Sequence, residues 1–143
     1  MASRAITANR VKRTKRAKAP KPLSAGEEAF ALHCRAHHLP SVTRELAFAL
    51  EAFGRRWKFD FAWPEYRVAV ECEGLVVRFQ AGKKILLGRH VTLEGFEEDA
   101  IKYAHAALLG WTVLRFNQRL IGNGTAIDLT RRVLAAKGWS NDG

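Results

Sequence analysis

WKFDFAWPEYRVAVECEG, residues 57–74, alternates apolar and polar side chains with the two-residue period of strands and breaks once, at Pro64-Glu65-Tyr66. The stretch predicts two antiparallel strands around a tight turn. Trp57, Phe59, Phe61 and Trp63 fall on one face of the first strand, leaving Lys58, Asp60 and Ala62 on the other. On the second strand Val68, Val70 and Cys72 share a face, against Ala69, Glu71 and Glu73. A slip by one residue would set the apolar face of one strand against the polar face of the other, so the pattern specifies the register. A two-residue loop at Glu65-Tyr66 satisfies it and places Asp60 across from Glu71, with Glu73 farther along the same face.

Directly opposed side chains in such a pair lie roughly 4.5–5.5 Å apart at Cβ, where like charges repel. Carboxylates gathered this way either raise a pKa or take up a cation. Hard divalent ions such as Mg²⁺ accept oxygen ligands of this kind together with waters and substrate phosphate. The hairpin therefore reads as a metal site for phosphate chemistry, or else as an exposed strand face whose acids pair with Lys58 and Arg67.

At 143 residues the chain has room for one domain with its own core. Its hydrophobic content of 48% excludes global disorder, and its formal charge of +10, with a pI near 10.2, suits polyanionic partners. Most of that charge sits in residues 1–22, with eight basic residues and no acid. This segment is expected to be a flexible arm attracted to phosphate backbones, a solubilising tail or a transit-like segment, ahead of a domain over residues 23–143. The two cysteines, Cys34 and Cys72, form no paired motif, which suggests buried thiols in a reducing, intracellular protein. There is no apolar run of membrane-spanning length, and the first residues lack the apolar stretch of a secretory signal.

Ser24 and Glu27 stand at capping-box spacing, so a helix should run from there to about His37. Glu27 is then a cap, a carboxylate able to reach the hairpin's metal, or both, and Glu28 is a surface residue. His33 and His37 are four apart, a zinc-compatible spacing, but no third ligand accompanies them and they read as surface or packing residues. Residues 42–53 fit either strand or helix; strand is preferred, because it gives the hairpin a third partner. Residues 75–87 read as a second hairpin or flap with a basic tip at Lys83 and Lys84, and His90 follows as a candidate proton donor or water-orienting group. A helix is expected over residues 97–109, with Ile101, Ala104 and Leu108 as its apolar stripe and Lys102 off that stripe, paired with Glu98 or Asp99 or holding water or phosphate. A buried strand over residues 111–116 and a helix over about 126–137, with Arg131 and Arg132 facing solvent, complete a mixed α/β arrangement.

The segments WKFDFAWP (57–64), AVECEG (69–74), GRH (88–90) and GFEEDAIKYAHAALLGWTVLRF (95–116) together resemble the PD-(D/E)XK nuclease superfamily, and in particular its small phage-type endonucleases and Holliday junction resolvases. The resemblance implies a restriction-endonuclease-like core: a helix, a three-stranded antiparallel meander, a crossover helix, a fourth strand and a C-terminal helix. It implies that Asp60 and Glu71 bind the metal, that Glu73 holds the place usually taken by lysine, and that Glu27 is the first-helix carboxylate. His90 and Lys102 match further positions of the subgroup. With lysine absent at Glu73, stabilisation of developing charge falls to the metal, Lys102 or His90.

The expectation is a Mg²⁺-dependent structure-specific endodeoxyribonuclease, with Mn²⁺ as a substitute and no nucleotide cofactor. It would resolve four-way junctions in recombination as a C2 homodimer, in the cytoplasm of a bacterial host and encoded by a phage or prophage. Arg10, Lys12, Arg13, Lys15, Arg16 and Lys18 of the arm, Lys83 and Lys84 of the flap, and Arg89 would contact the DNA backbone. A same-fold nuclease for mismatched, nicked or plain duplex DNA and a non-catalytic DNA-binding protein are the alternatives.

Overall fold

A computed structural model describes residues 22–74, 76–87 and 92–142; the basic arm up to Lys21 and the Gly88-Arg89-His90 segment lie outside the described residues. Ser24 opens the first helix as its spacing predicts. Its side chain accepts from the Glu27 N–H at 3.2 Å, and its own N–H donates to Glu27 Oε2 at 2.8 Å, which satisfies two of the orphan donors of a helix start. The helix, α1 (Ala25–Ala36), turns Gly26, Phe30 and Cys34 inward at four-residue spacing.

The chain continues through β1 (Thr43–Leu46), the one-turn helix α2 (Leu50–Phe53), β2 (Phe59–Trp63) and β3 (Val68–Glu73). Next come the hairpin strands β4 (Val76–Gln80) and β5 (Lys83–Leu87), then α3 (Leu93–Leu108), β6 (Thr112–Asn117), α4 (Gln118–Gly122) and α5 (Thr125–Ala136). The protein is mixed α/β, with a four-stranded mixed sheet in the order β1-β2-β3-β6, a separate two-stranded sheet β4-β5, and five helices among the described residues. β1, β2 and β3 form an antiparallel meander, and α3 carries the chain over to β6, which lies parallel to β3. The β2–β3 register pairs Phe61 with Val70, Ala62 with Ala69 and Trp63 with Val68, as the alternation requires, and beyond it the Cys72 N–H donates to the Asp60 side chain.

Both faces of this sheet are covered, and so Val68, Ala69 and Val70 are all buried. On one face Phe61, Trp63, Val68, Val70 and Phe116 pack with Phe30, Ile121, Ile127 and Leu134 of the helices α1, α4 and α5. Phe30 meets Phe61 edge to face at 4.8 Å, and the Trp63 indole N–H donates to the Pro40 carbonyl at 2.9 Å. The second cluster joins Phe59, Ala62, Ala69 and Trp111 to Ala106 of α3.

The structure corrects the sequence-based reading at several points. Residues 42–53 are not one strand: β1 ends at Leu46, and α2 follows, stopped by Gly54 at φ +64. The bend lets Phe48 stack on Phe59, with ring centroids 3.9 Å apart. Phe59 does not share a face with Phe61 and Trp63 but joins the α3-side cluster, as does its β1 partner Leu46. One pair earlier, Arg44 lies over the Phe61 ring on the α1 side, so the pleat is interrupted between the two pairs, at Glu45 with φ +52. α3 starts a turn early, where Thr92 Oγ1 accepts from the Gly95 N–H at 3.1 Å. Its expected stripe faces outward, with Ile101 49% and Leu108 73% exposed, while Gly95, Asp99 and Ala106 are buried. The sheet end beneath it is charged, and that selects a polar helix face. Arg131 is half-buried rather than facing solvent, and α4, capped by Asn117, was not anticipated. No described helix is long and apolar enough to cross a membrane.

Candidate active site

The start of β2 and the end of β3 lie side by side, because the two strands run antiparallel, and this brings Asp60, Glu71 and Glu73 to one end of the sheet. α3 covers that end with Asp99, Lys102 and Tyr103. Together with Cys72 these six side chains line a pocket of about 170 Å³. Two larger hollows, of about 410 and 310 Å³, lie at Arg131–Trp139 and at Cys34–Arg44, and neither is lined by these acids.

Asp60 is held by the Cys72 N–H, which donates to its Oδ2 at 2.8 Å. Burial, and then the neighbouring Glu71 carboxylate, push its pKa up to about 7, although the Cys72 hydrogen bond acts in the opposite direction. Glu71 is buried and pairs with the Lys102 ammonium, which also donates to the Lys58 carbonyl at 2.9 Å. Lys102 thus meets a β3 carboxylate across the site, a partner that the spacing along its own helix did not suggest. Glu73 pairs with the Arg115 guanidinium, whose Nη2 lies 3.3 Å from Asp99 Oδ2 and whose plane sits over the Tyr103 ring at 4.5 Å. Burial works against the charge on Arg115, but Glu73, Tyr103 and Asp99 outweigh it and raise its pKa. Burial, followed by Glu71, raises that of the Tyr103 phenol.

Asp60 also belongs to a second group on the α1 side. One carboxylate oxygen from each of Glu27, Glu45 and Asp60 lies within 4.8 Å of the others. Glu27 serves two purposes, since its Oε2 closes the capping box while Oε1 lies 3.9 Å from Arg44 Nη2. The Arg44 Nε donates to the Asp60 carbonyl at 2.9 Å and fastens β1 to the site strand. Burial pushes the Cys34 thiol up to about 12, and it also raises the half-buried Cys72, so neither is primed as a nucleophile.

Of the residues singled out from sequence, Asp60, Glu71, Glu73 and Lys102 share one pocket, and Glu27 reaches Asp60 from the other side. Lys83 and Lys84 are exposed near the β4–β5 turn. His90, Arg89, Arg10, Lys12, Arg13, Lys15, Arg16 and Lys18 lie outside the described residues. Sequence reasoning missed Glu45, Asp99, Tyr103 and Arg115. The parallel pairing of Glu71 with Arg115 would have found the last of these, whereas the left-handed backbone of Glu45 has no sequence signature. The donor set is all oxygen and includes a crowded carboxylate that ionises reluctantly, an environment that fits a hard divalent cation. Comparison with models of known families, with characterised proteins and with solved structures returns no match.

Proposed function

We propose that this chain is a divalent-metal-dependent endodeoxyribonuclease with a restriction-endonuclease-like core, acting on branched DNA and above all on four-way junctions. The observation that carries this reading is the convergence of Asp60, Glu71 and Glu73 with Lys102 in one polar pocket at the end of the mixed sheet. Asp60, Glu71 and Glu73, with Glu27 from α1, would hold Mg²⁺, and Mn²⁺ would substitute. When bound, the ion supplies an activated water and polarises the phosphoryl oxygen.

The chain's own residues supply the rest. Lys102 neutralises Glu71 in the free protein and, with substrate present, orients the attacking water or the scissile phosphate. Because Glu73 occupies the place of a lysine, the cation comes from α3 instead of β3. The Cys72 N–H fixes the Asp60 carboxylate, and Lys83 and Lys84 contact the backbone without reading bases. Symmetric cutting of a junction takes two active sites, which a C2 homodimer provides.

The test is cleavage of a labelled four-way junction beside a matched linear duplex, with Mg²⁺ or EDTA, using the native chain and Glu71→Ala. Paired, metal-dependent nicks on the junction, lost in the variant, support the reading. Equal cutting of the duplex removes the junction assignment, and no cutting of either substrate overturns the nuclease.

A further inference from the structure

We infer that the turn from Gly54 to Lys58 is a phosphate-backbone contact surface that holds duplex DNA beside the acidic pocket; this rests on the nuclease reading above. The turn places Arg55, Arg56 and Lys58 within four residues, all exposed. Gly54, at φ +64, ends α2 and sends the chain toward β2. The Arg55 guanidinium lies over the Trp57 indole at 4.2 Å, and Trp57 in turn lies 5.2 Å from the His105 ring on α3. Phe53 meets the same histidine edge to face at 4.7 Å, so the turn is braced against the helix that covers the pocket. The Lys58 carbonyl accepts from Lys102 Nζ, and through Lys102 the turn is linked to Glu71.

Charge pairing separates these cations from those inside the site. Lys102 is paired with Glu71, Arg115 with Glu73 and Asp99, and Arg44 lies near Glu27. Among the described residues, no carboxylate lies within ion-pair distance of Arg55, Arg56 or Lys58. The inner cations neutralise the acids of the pocket, and the turn's cations have no such task. A pocket of carboxylates repels a polyanion, and unpaired positive charge at its rim offsets that repulsion while drawing the backbone in. Arginine and lysine at this position take phosphates, which fix register without reading bases.

The experiment is binding of the full-length protein to duplex DNA in EDTA, where no cleavage competes, across a series of salt concentrations. The triple variant R55A/R56A/K58A should bind at least about tenfold more weakly at moderate salt, on several unrelated sequences alike. Its plot of log K against log salt should be shallower by about two to three units. The charge-conserving R55K/R56K variant should keep the native slope, which distinguishes lost charge from a disturbed turn. An unchanged slope in a triple variant with native circular dichroism and melting overturns the inference, while native binding and metal-dependent cleavage leave the nuclease standing. A native chain that neither binds nor cuts DNA overturns that reading and this inference together.

Discussion

The Lys102 ammonium lies against the Glu71 carboxylate, joining α3 to β3 across a sequence separation of 31 residues. Both side chains are largely withdrawn from water, at 13% and 10% exposure. Lys102→Met would leave Glu71 buried without its cation, and unfolding in urea should show a loss of about 3–5 kcal/mol. The double variant Glu71→Gln/Lys102→Met should recover part of that loss, because it buries no unpaired charge. On the proposed nuclease function, cleavage should fall by about 100-fold or more in Lys102→Met and in Glu71→Gln alike.

Asp60 gives the apo protein a defined pH response. Its pKa is raised to about 7 in the folded state by burial and by Glu71, against about 3.9 in an unfolded chain, so the folded protein binds the extra proton. Stability should therefore fall as pH rises from about 4 to 7. Asp60→Asn should flatten that decline and, discounted for partial exposure, be more stable than the native chain at neutral pH by roughly 1–2 kcal/mol. Thermal melts between pH 4 and 8 in EDTA check this; a parallel decline in both proteins would contradict it. Cleavage at a fixed Mg²⁺ concentration should rise over the same interval, because metal binding requires the carboxylate to be ionised.

Glu27 and Glu45 approach Asp60 from the same side but should respond differently to loss of charge. Glu45→Gln should raise the Mg²⁺ concentration needed for half-maximal cleavage with little effect on melting. Glu27→Gln should raise it as well and cost about 0.5–1 kcal/mol through the weakened capping box. Glu45→Gly relieves the left-handed backbone strain at φ +52, so it should melt higher than Glu45→Gln.

Phe59 links the core to the acidic pocket. Its ring stacks on Phe48, lies 5.0 Å from Trp111 and sits 5.8 Å from Lys102 Nζ. Phe59→Ala should destabilise the fold by about 3–5 kcal/mol, whereas Phe59→Leu should cost less and keep Lys102 in place. Cleavage per folded molecule, measured well below the melting temperature, should be reduced by the first change more than by the second.

The hairpin register and the first helix were legible because each rests on a strong local rule: two-residue alternation for Phe61 opposite Val70, and capping chemistry for Ser24 and Glu27. The covering face of α3 was not. An apolar stripe predicts the buried face only where the surface beneath is apolar, and here Asp99 and Lys102 turn inward to meet Arg115 and Glu71. Phe59 escaped for a related reason, since a sheet buried on both sides lets an aromatic side chain find partners on either face once the pleat is interrupted at Glu45. Glu45 and Arg115 enter the site from β1 and β6, strands whose pairing partners are set by tertiary structure, not by any motif spanning both.

Among the described residues, β4 and β5 form a two-stranded sheet of their own, spliced between Glu73 at the end of β3 and the helix that returns the chain to β6. Its length and sequence are thus free of the pairing that aligns Asp60, Glu71 and Arg115. The architecture is modular at this junction: a longer, shorter or differently charged insert would leave the carboxylate scaffold in register. The insert and the pocket would accordingly diverge at separate rates in chains of this design.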